Sequence, residues 1–149
     1  MIMSLKPSKE KRSQFDLDLE FGEFYEDQLA EIFGTKKVEV KADTRWKDTG
    51  NLAVEYECFD KPSGISVTKA DYWAFALTYG RDKQEECAYM IIPTKFIKEI
   101  IKEKPTRLGV GDRNKANIHI MAISDLKHDL VKAYNDAKEA QSGTVQPNV

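Results

Sequence analysis

Residues 38–72 read VEVKADTRWKDTGNLAVEYECFDKPSGISVTKADY, and the rest of the chain is read outward from them. In VEVKAD, Val38, Val40 and Ala42 alternate with Glu39, Lys41 and Asp43, the period of two of a half-buried strand. NLAVEYEC repeats the pattern, with Leu52, Val54 and Tyr56 alternating with Ala53, Glu55 and Glu57. Between them, Asp48-Thr49-Gly50 has the make-up of a short hairpin loop whose last residue is left-handed, a conformation glycine adopts without steric cost. On that register Lys47 opposes Asn51, Asp43 opposes Glu55 and Lys41 opposes Glu57. Directly opposed residues share a face, with β-carbons roughly 4.5–5.5 Å apart. Two carboxylates placed this way repel each other unless a cation sits between them, and a metal ion or a nearby lysine meets that need.

Around this stretch the pattern is mixed. Tyr25, Leu29, Ile32 and Phe33 have helical spacing, which predicts a helix over about 19–33 with Gly34 as its C-cap. DYWAFALTY and ECAYMIIP read as buried strands, separated by a turn at Gly80-Arg81-Asp82-Lys83. TKFIKEIIKEK opens on Thr94 as N-cap, carries one stripe of Phe96, Ile97, Ile100 and Ile101, and is stopped by Pro105. A strand over about 117–123 and a mostly polar helix over about 126–139 follow. This order predicts an α/β fold, a central mixed β-sheet flanked by helices. The polar, basic start (residues 1–14) reads as a flexible arm, residues 15–140 as one domain, and residues 141–149 as a disordered tail.

Composition narrows the function without choosing it. The 149 residues are 41% hydrophobic and 32% charged, which suits a soluble globular chain and is too apolar for a disordered one. No stretch approaches the roughly 18 apolar residues of a membrane span, and the start lacks the apolar centre of a signal peptide. Two cysteines cannot build a disulfide framework, and two histidines make a zinc site improbable. A reduced, cytoplasmic setting is the expectation. The 23 basic and 25 acidic residues give a net charge of −2, which argues against an all-basic coat. It does not exclude nucleic acid, because acidic metal ligands cancel a basic groove in the sum.

Oxygen ligands from two carboxylates, completed by water and a substrate phosphate, are what Mg²⁺ prefers. The Asp43, Glu55, Glu57 spacing therefore fits phosphodiester hydrolysis, although acidic residues on solvated strand faces are common. The neighbouring residues add to it: Gly22, Glu26 and Leu29 on the first helix, then Asp43, then Glu55-Tyr56-Glu57, Ser63-Gly64-Ile65 and Thr68-Lys69-Ala70-Asp71-Tyr72-Trp73. With a looser likeness through Met90–Thr94, the region from about 20 to 123 resembles the PD-(D/E)XK nuclease superfamily. Within it, the likeness is to small phage-encoded endonucleases and Holliday-junction resolvase-like members. The resemblance implies a restriction-endonuclease-like core of αβββαβ order. It also implies metal binding by Asp43, Glu55 and the Tyr56 carbonyl, with Glu26 as the helical acid and Glu23, one turn earlier, in reserve. Mg²⁺ is the implied cofactor, with Mn²⁺ as substitute, and the implied products carry a 5′-phosphate and a 3′-hydroxyl.

The third motif position, usually lysine, is Glu57 here. Its place is open to Lys69, to Lys41, or to a second metal ion that Glu57 helps bind, with Lys69 first. Arg45 and Lys47 share the Asp43 face in the hairpin and, with Lys41, are candidate contacts to DNA phosphates. Trp46 points the other way, toward the core. The sequence thus predicts a metal-dependent endodeoxyribonuclease acting in phage DNA processing, recombination or repair. The alternative is a catalytically inactive DNA-binding module on the same scaffold, and a third reading gives the acidic face a protein partner. Resolvases of this superfamily act as dimers, which makes a homodimer a further expectation, though no dimer stripe stands out.

Overall fold

The computed structural model describes residues 14–80 and 87–143, so the basic arm before Gln14, the turn at 81–83 and the tail beyond Gly143 lie outside the described residues. The chain forms two compact units, Met1–Lys36 and Lys37–Val149. The first holds helix α1 (Gln14–Gly34), which starts earlier than its apolar spacing predicts. Its end is closed by Thr35, whose backbone N–H and side-chain hydroxyl both donate to the Glu31 carbonyl. Gly34 is not left-handed.

The second unit runs β1 (Val38–Asp43), α2 (Trp46–Thr49), β2 (Asn51–Cys58), β3 (Lys61–Pro62), β4 (Tyr72–Leu77), β5 (Ala88–Pro93), α3 (Thr94–Ile100), β6 (Thr106–Val110), β7 (Ala116–Ala122) and α4 (Leu126–Ser142). It is mixed α and β, but the strands form two sheets rather than one. Strand order is β1-β4-β5 in the first and β3-β2-β7-β6 in the second. One core joins them: Leu52, Val54 and Met121 come from the second sheet, Trp73, Phe75 and Ile92 from the first, and Ile97 and Leu126 from the helices.

The hairpin expected between β1 and β2 does not form. β1 pairs parallel with β4, bringing Lys41 beside Phe75 and Asp43 beside Leu77, while β2 pairs antiparallel with β7. The cause lies on both sides of the bend. Residues 73–77 are all buried, so β4 has a partner on each edge to satisfy its backbone, and β1 supplies one of them. At the bend, the Asp43 carboxylate accepts from the N–H groups of Arg45 and Trp46 and starts the single helical turn α2. Gly50 is left-handed as expected (φ 69°), but it caps that turn, its N–H donating to the Trp46 carbonyl. Trp46 packs against the core and its indole N–H donates to the Thr78 carbonyl at 2.7 Å.

β2 carries a bulge. Glu55 is in register with Ile118 and Glu57 with Asn117, so Tyr56 and Glu57 together span one step of β7. Neighbouring residues of β7 point to opposite faces, and Glu57 therefore leaves the face that Glu55 occupies. Asn117 donates to Glu57 Oε1 at 2.6 Å and accepts from the Gly109 N–H at 3.0 Å. A second break in register falls between Arg107 and Val110 of β6, so one amide ties both irregularities together. Beyond the bulge, β2 turns into β3 through Phe59 and Asp60, both at positive φ (49° and 59°), the pattern of a tight hairpin turn.

α3 begins at Thr94 as predicted, yet Thr94 is no cap: its hydroxyl donates to the Ala70 carbonyl. α3 and α4 pack together, and Lys104 reaches Asp129 of α4 at 2.7 Å, both side chains largely buried. No helix among the described residues is long and apolar enough to cross a membrane.

Candidate functional site

Asp43 and Glu55 come from different sheets but line one cleft, together with Lys41, Phe75, Gly111 and Ile118. The arrangement differs from the facing pair of a hairpin and keeps the same two acids together. Asp43 is fixed through Oδ1, 2.8 Å from the Arg45 N–H and 3.0 Å from that of Trp46. Glu55 is fixed through Oε1, which accepts from the Ser63 hydroxyl at 2.5 Å. Each acid is thus oriented through one oxygen, and the other is left without a protein partner among the described residues.

The turn that orients Glu55 is built for close approach. A β-carbon on Gly64 would lie 2.2 Å from the Glu55 carbonyl oxygen, and Gly64 has a φ of +50°. Only glycine lets residues 63–66 lie against β2. From there the Ser63 N–H and the Ser66 hydroxyl both donate to the Tyr56 carbonyl, at 3.0 and 2.8 Å. That carbonyl, a metal ligand in the sequence reading, is already committed to the turn. Ser63-Gly64-Ile65-Ser66 therefore acts on the site by holding Glu55 and Tyr56.

Lys41 stands two residues before Asp43 on the same face of β1. Its ammonium is 2.6 Å from Glu39 Oε1 and 5.3 Å from the centre of the Trp73 ring. Glu39 also accepts from the Thr68 hydroxyl at 2.5 Å. Burial alone would raise the Glu39 carboxyl. The bonds from Lys41 and Thr68 and the Lys41 charge outweigh burial and hold it below the usual glutamate value. Of the two lysines weighed as the missing cation, Lys41 lines the cleft. Lys69 is exposed, does not line it, and follows Thr68 in a segment that anchors β1, since the Lys37 N–H donates to Asp71.

A second cleft meets the first along Ala42, Asp43, Ala53, Val110, Gly111 and Ile118, and carries Arg45 and Arg107. Arg45 is where the sequence reading wanted it, beside Asp43, although α2 and not a strand puts it there. Lys47 instead donates to the Tyr79 carbonyl at 3.1 Å. Glu57 is turned to Asn117 and does not line either cleft. Glu23 and Glu26 stand one turn apart on α1 in the first compact unit.

Arg107 has no counterpart in the sequence reading. It sits on β6, a five-residue strand whose only apolar side chains are Leu108 and Val110, too short a pattern to stand out, and it follows the proline that ends the preceding helical segment. Its placement follows from pairing: Arg107 is in register with Ile118, and Ile118 with Glu55.

The donor set suits a hard divalent cation in part. Mg²⁺ is commonly held by one or two carboxylates, with water and substrate phosphate completing its shell. Two carboxylates with an uncommitted oxygen each fit that description. The described residues contain no group of three or more His, Cys, Asp or Glu side chains suited to a metal ion. The first cleft encloses about 310 Å³, room for a hydrated ion and a phosphate given roughly 30 Å³ per water. Comparison with protein-family models, curated proteins and solved structures gave no match.

Proposed function

We propose that this chain is a metal-dependent endodeoxyribonuclease, with Asp43 and Glu55 as the residues that would hold Mg²⁺ or Mn²⁺. The observation that carries the reading is the pairing of two carboxylates at one cleft, each anchored through a single oxygen. When bound, the ion supplies charge neutralisation at the scissile phosphate and eases ionisation of a water. Asp43 and Glu55 would hold the ion, and the bonds from the Arg45 and Trp46 N–H groups and the Ser63 hydroxyl orient the two carboxylates that would do so. Lys41 lines the same wall of the cleft with its ammonium paired to Glu39, and would serve the phosphoryl oxygens, where charge develops, only by leaving that partner. Products with a 5′-phosphate and a 3′-hydroxyl follow from the superfamily resemblance.

One observation favours the second reading, a DNA-binding module without catalysis. Glu57 replaces the motif lysine and is spent on Asn117, so the third motif position does not serve the cleft.

Cleavage of supercoiled plasmid and branched DNA with Mg²⁺ or Mn²⁺ separates the two. Cutting by the wild type, abolished in Asp43→Ala and in Glu55→Ala, supports the nuclease. Binding without cutting at any metal concentration supports the module, and the absence of both overturns the nucleic-acid reading.

A further inference from the structure

We infer that Arg107 and Arg45 form a phosphate clamp beside the two carboxylates, positioning the DNA backbone next to the bond to be cut. The inference rests on the nucleic-acid reading of the site and adds to it Arg107, from a strand the sequence did not reveal.

The register makes the geometry. Glu55 of β2, Ile118 of β7 and Arg107 of β6 lie in one row across three adjacent strands. Paired residues share a face, so Arg107 rises from the face that bears Glu55, roughly 10 Å away at twice the strand spacing. Arg45 lines the same cleft from the start of α2, two residues after Asp43. Both arginines are exposed, and neither makes an ion pair among the described residues. That is the telling point. An arginine beside an aspartate ordinarily spends its charge on it, whereas here the Asp43 oxygen that is bonded takes backbone N–H groups instead. Two uncommitted guanidinium groups flank two partly uncommitted carboxylates.

A polyanion that needs both kinds of group fits this division. The carboxylates take a cation over one phosphate, and the arginines take a neighbouring phosphate directly through paired N–H donors. Between the two arginines the cleft is lined by Ala53, Ile118 and Ile120, none of which carries a charge that would compete for a phosphate. Arg45 and Arg107 are positioning residues: they would set where the strand lies and leave the chemistry to the acids.

The test is the salt dependence of DNA binding, measured by fluorescence anisotropy of a labelled duplex and a labelled branched DNA in EDTA. Without metal, cleavage does not interfere. A phosphate contact contributes about one unit to the slope of log K against log salt. Arg107→Ala and Arg45→Ala should each lower the slope by about one and weaken binding alike on every sequence, and the double variant by about two. Arg107→Lys should keep the slope, since it keeps the charge, and bind more weakly than wild type because the paired donors are gone. Lys132→Ala on α4, where the lysine's charge is taken by Asp136 and Glu103 and the residue lines neither cleft, should change nothing. If the wild type binds but both alanine variants keep its slope, the clamp is wrong and the nuclease reading stands. If the wild type binds DNA neither in EDTA nor with Ca²⁺ added, both fall.

Discussion

The Ser63 hydroxyl donates to Glu55 Oε1 at 2.5 Å, joining the turn after β3 to a carboxylate eight residues earlier in the chain. The bond fixes the direction in which Glu55 presents its other oxygen. Ser63→Ala should leave the fold intact and raise the Mg²⁺ concentration for half-maximal cleavage by about 10- to 100-fold, the usual effect of losing a residue that orients a metal-binding side chain. Metal titrations of cleavage rate check this, and an unchanged midpoint would remove Ser63 from the site.

Gly64→Ala attacks the same turn through its backbone. The added β-carbon meets the Glu55 carbonyl oxygen at 2.2 Å, and the residue is held at a φ of +50°. Contact and strain together should cost about 2–4 kcal/mol, seen as a lower urea midpoint at unchanged slope.

Glu57 offers the sharpest contrast with the motif. Turned to Asn117 and away from Glu55, it should tolerate Glu57→Gln with cleavage within about twofold of wild type, because the amide oxygen still accepts from Asn117. Asp43→Asn should abolish cleavage by the same assay. A Glu57→Gln variant as inactive as Asp43→Asn would return Glu57 to the catalytic set.

Glu39 makes stability depend on acidity. Its carboxyl lies below the usual glutamate value in the folded chain, so the folded state binds fewer protons than the unfolded one across that interval. The stabilisation is complete above the ordinary glutamate pKa and is lost as the pH falls through the depressed one. Wild type should therefore exceed Glu39→Gln in denaturation midpoint at neutral pH, with the gap closing in acid. A gap that widens in acid would reverse the sign.

Asp60 occupies the second position of the β2–β3 turn at a φ of +59°. Asp60→Gly removes the clash of a β-carbon in that conformation, worth roughly 1 kcal/mol, less part of glycine's greater unfolded-state entropy. A rise of about 0.5 kcal/mol in unfolding free energy is the expected result, read from urea melts.

How far the chain could be read depends on what each signal measures. Alternation in VEVKAD and NLAVEYEC places both strands, and in β2 it also names the buried face, with Leu52 and Val54 inside. In β1 the faces are reversed, with Val40 and Ala42 exposed and Glu39, Lys41 and Asp43 half-buried. Alternation does not name the neighbour. The partner of β1 is set by the backbone needs of β4, 34 residues later, so Asp43 and Glu55 share a cleft by a route the hairpin register does not describe. Gly50 shows the same division: its left-handed backbone was legible, its task as a helix cap was not. The bulge at Tyr56 exists only relative to β7, which is why Glu57 could be counted onto the Glu55 face. β6 gave no signal because most of it is exposed, Leu108 included, and Arg107 was hidden with it.

β6 also ends its sheet, with β7 on one side and, among the described residues, no strand on the other. A bare edge of this kind, with Leu108 open to solvent, invites another copy to add a strand and seed aggregation. Gly109, at a φ of +67°, breaks the ladder where the side-chain oxygen of Asn117 takes its N–H. The kink leaves too short a straight run for an incoming strand to follow. The same irregularity that brings β6 past the acidic cleft thus guards the molecule against polymerising through its own rim.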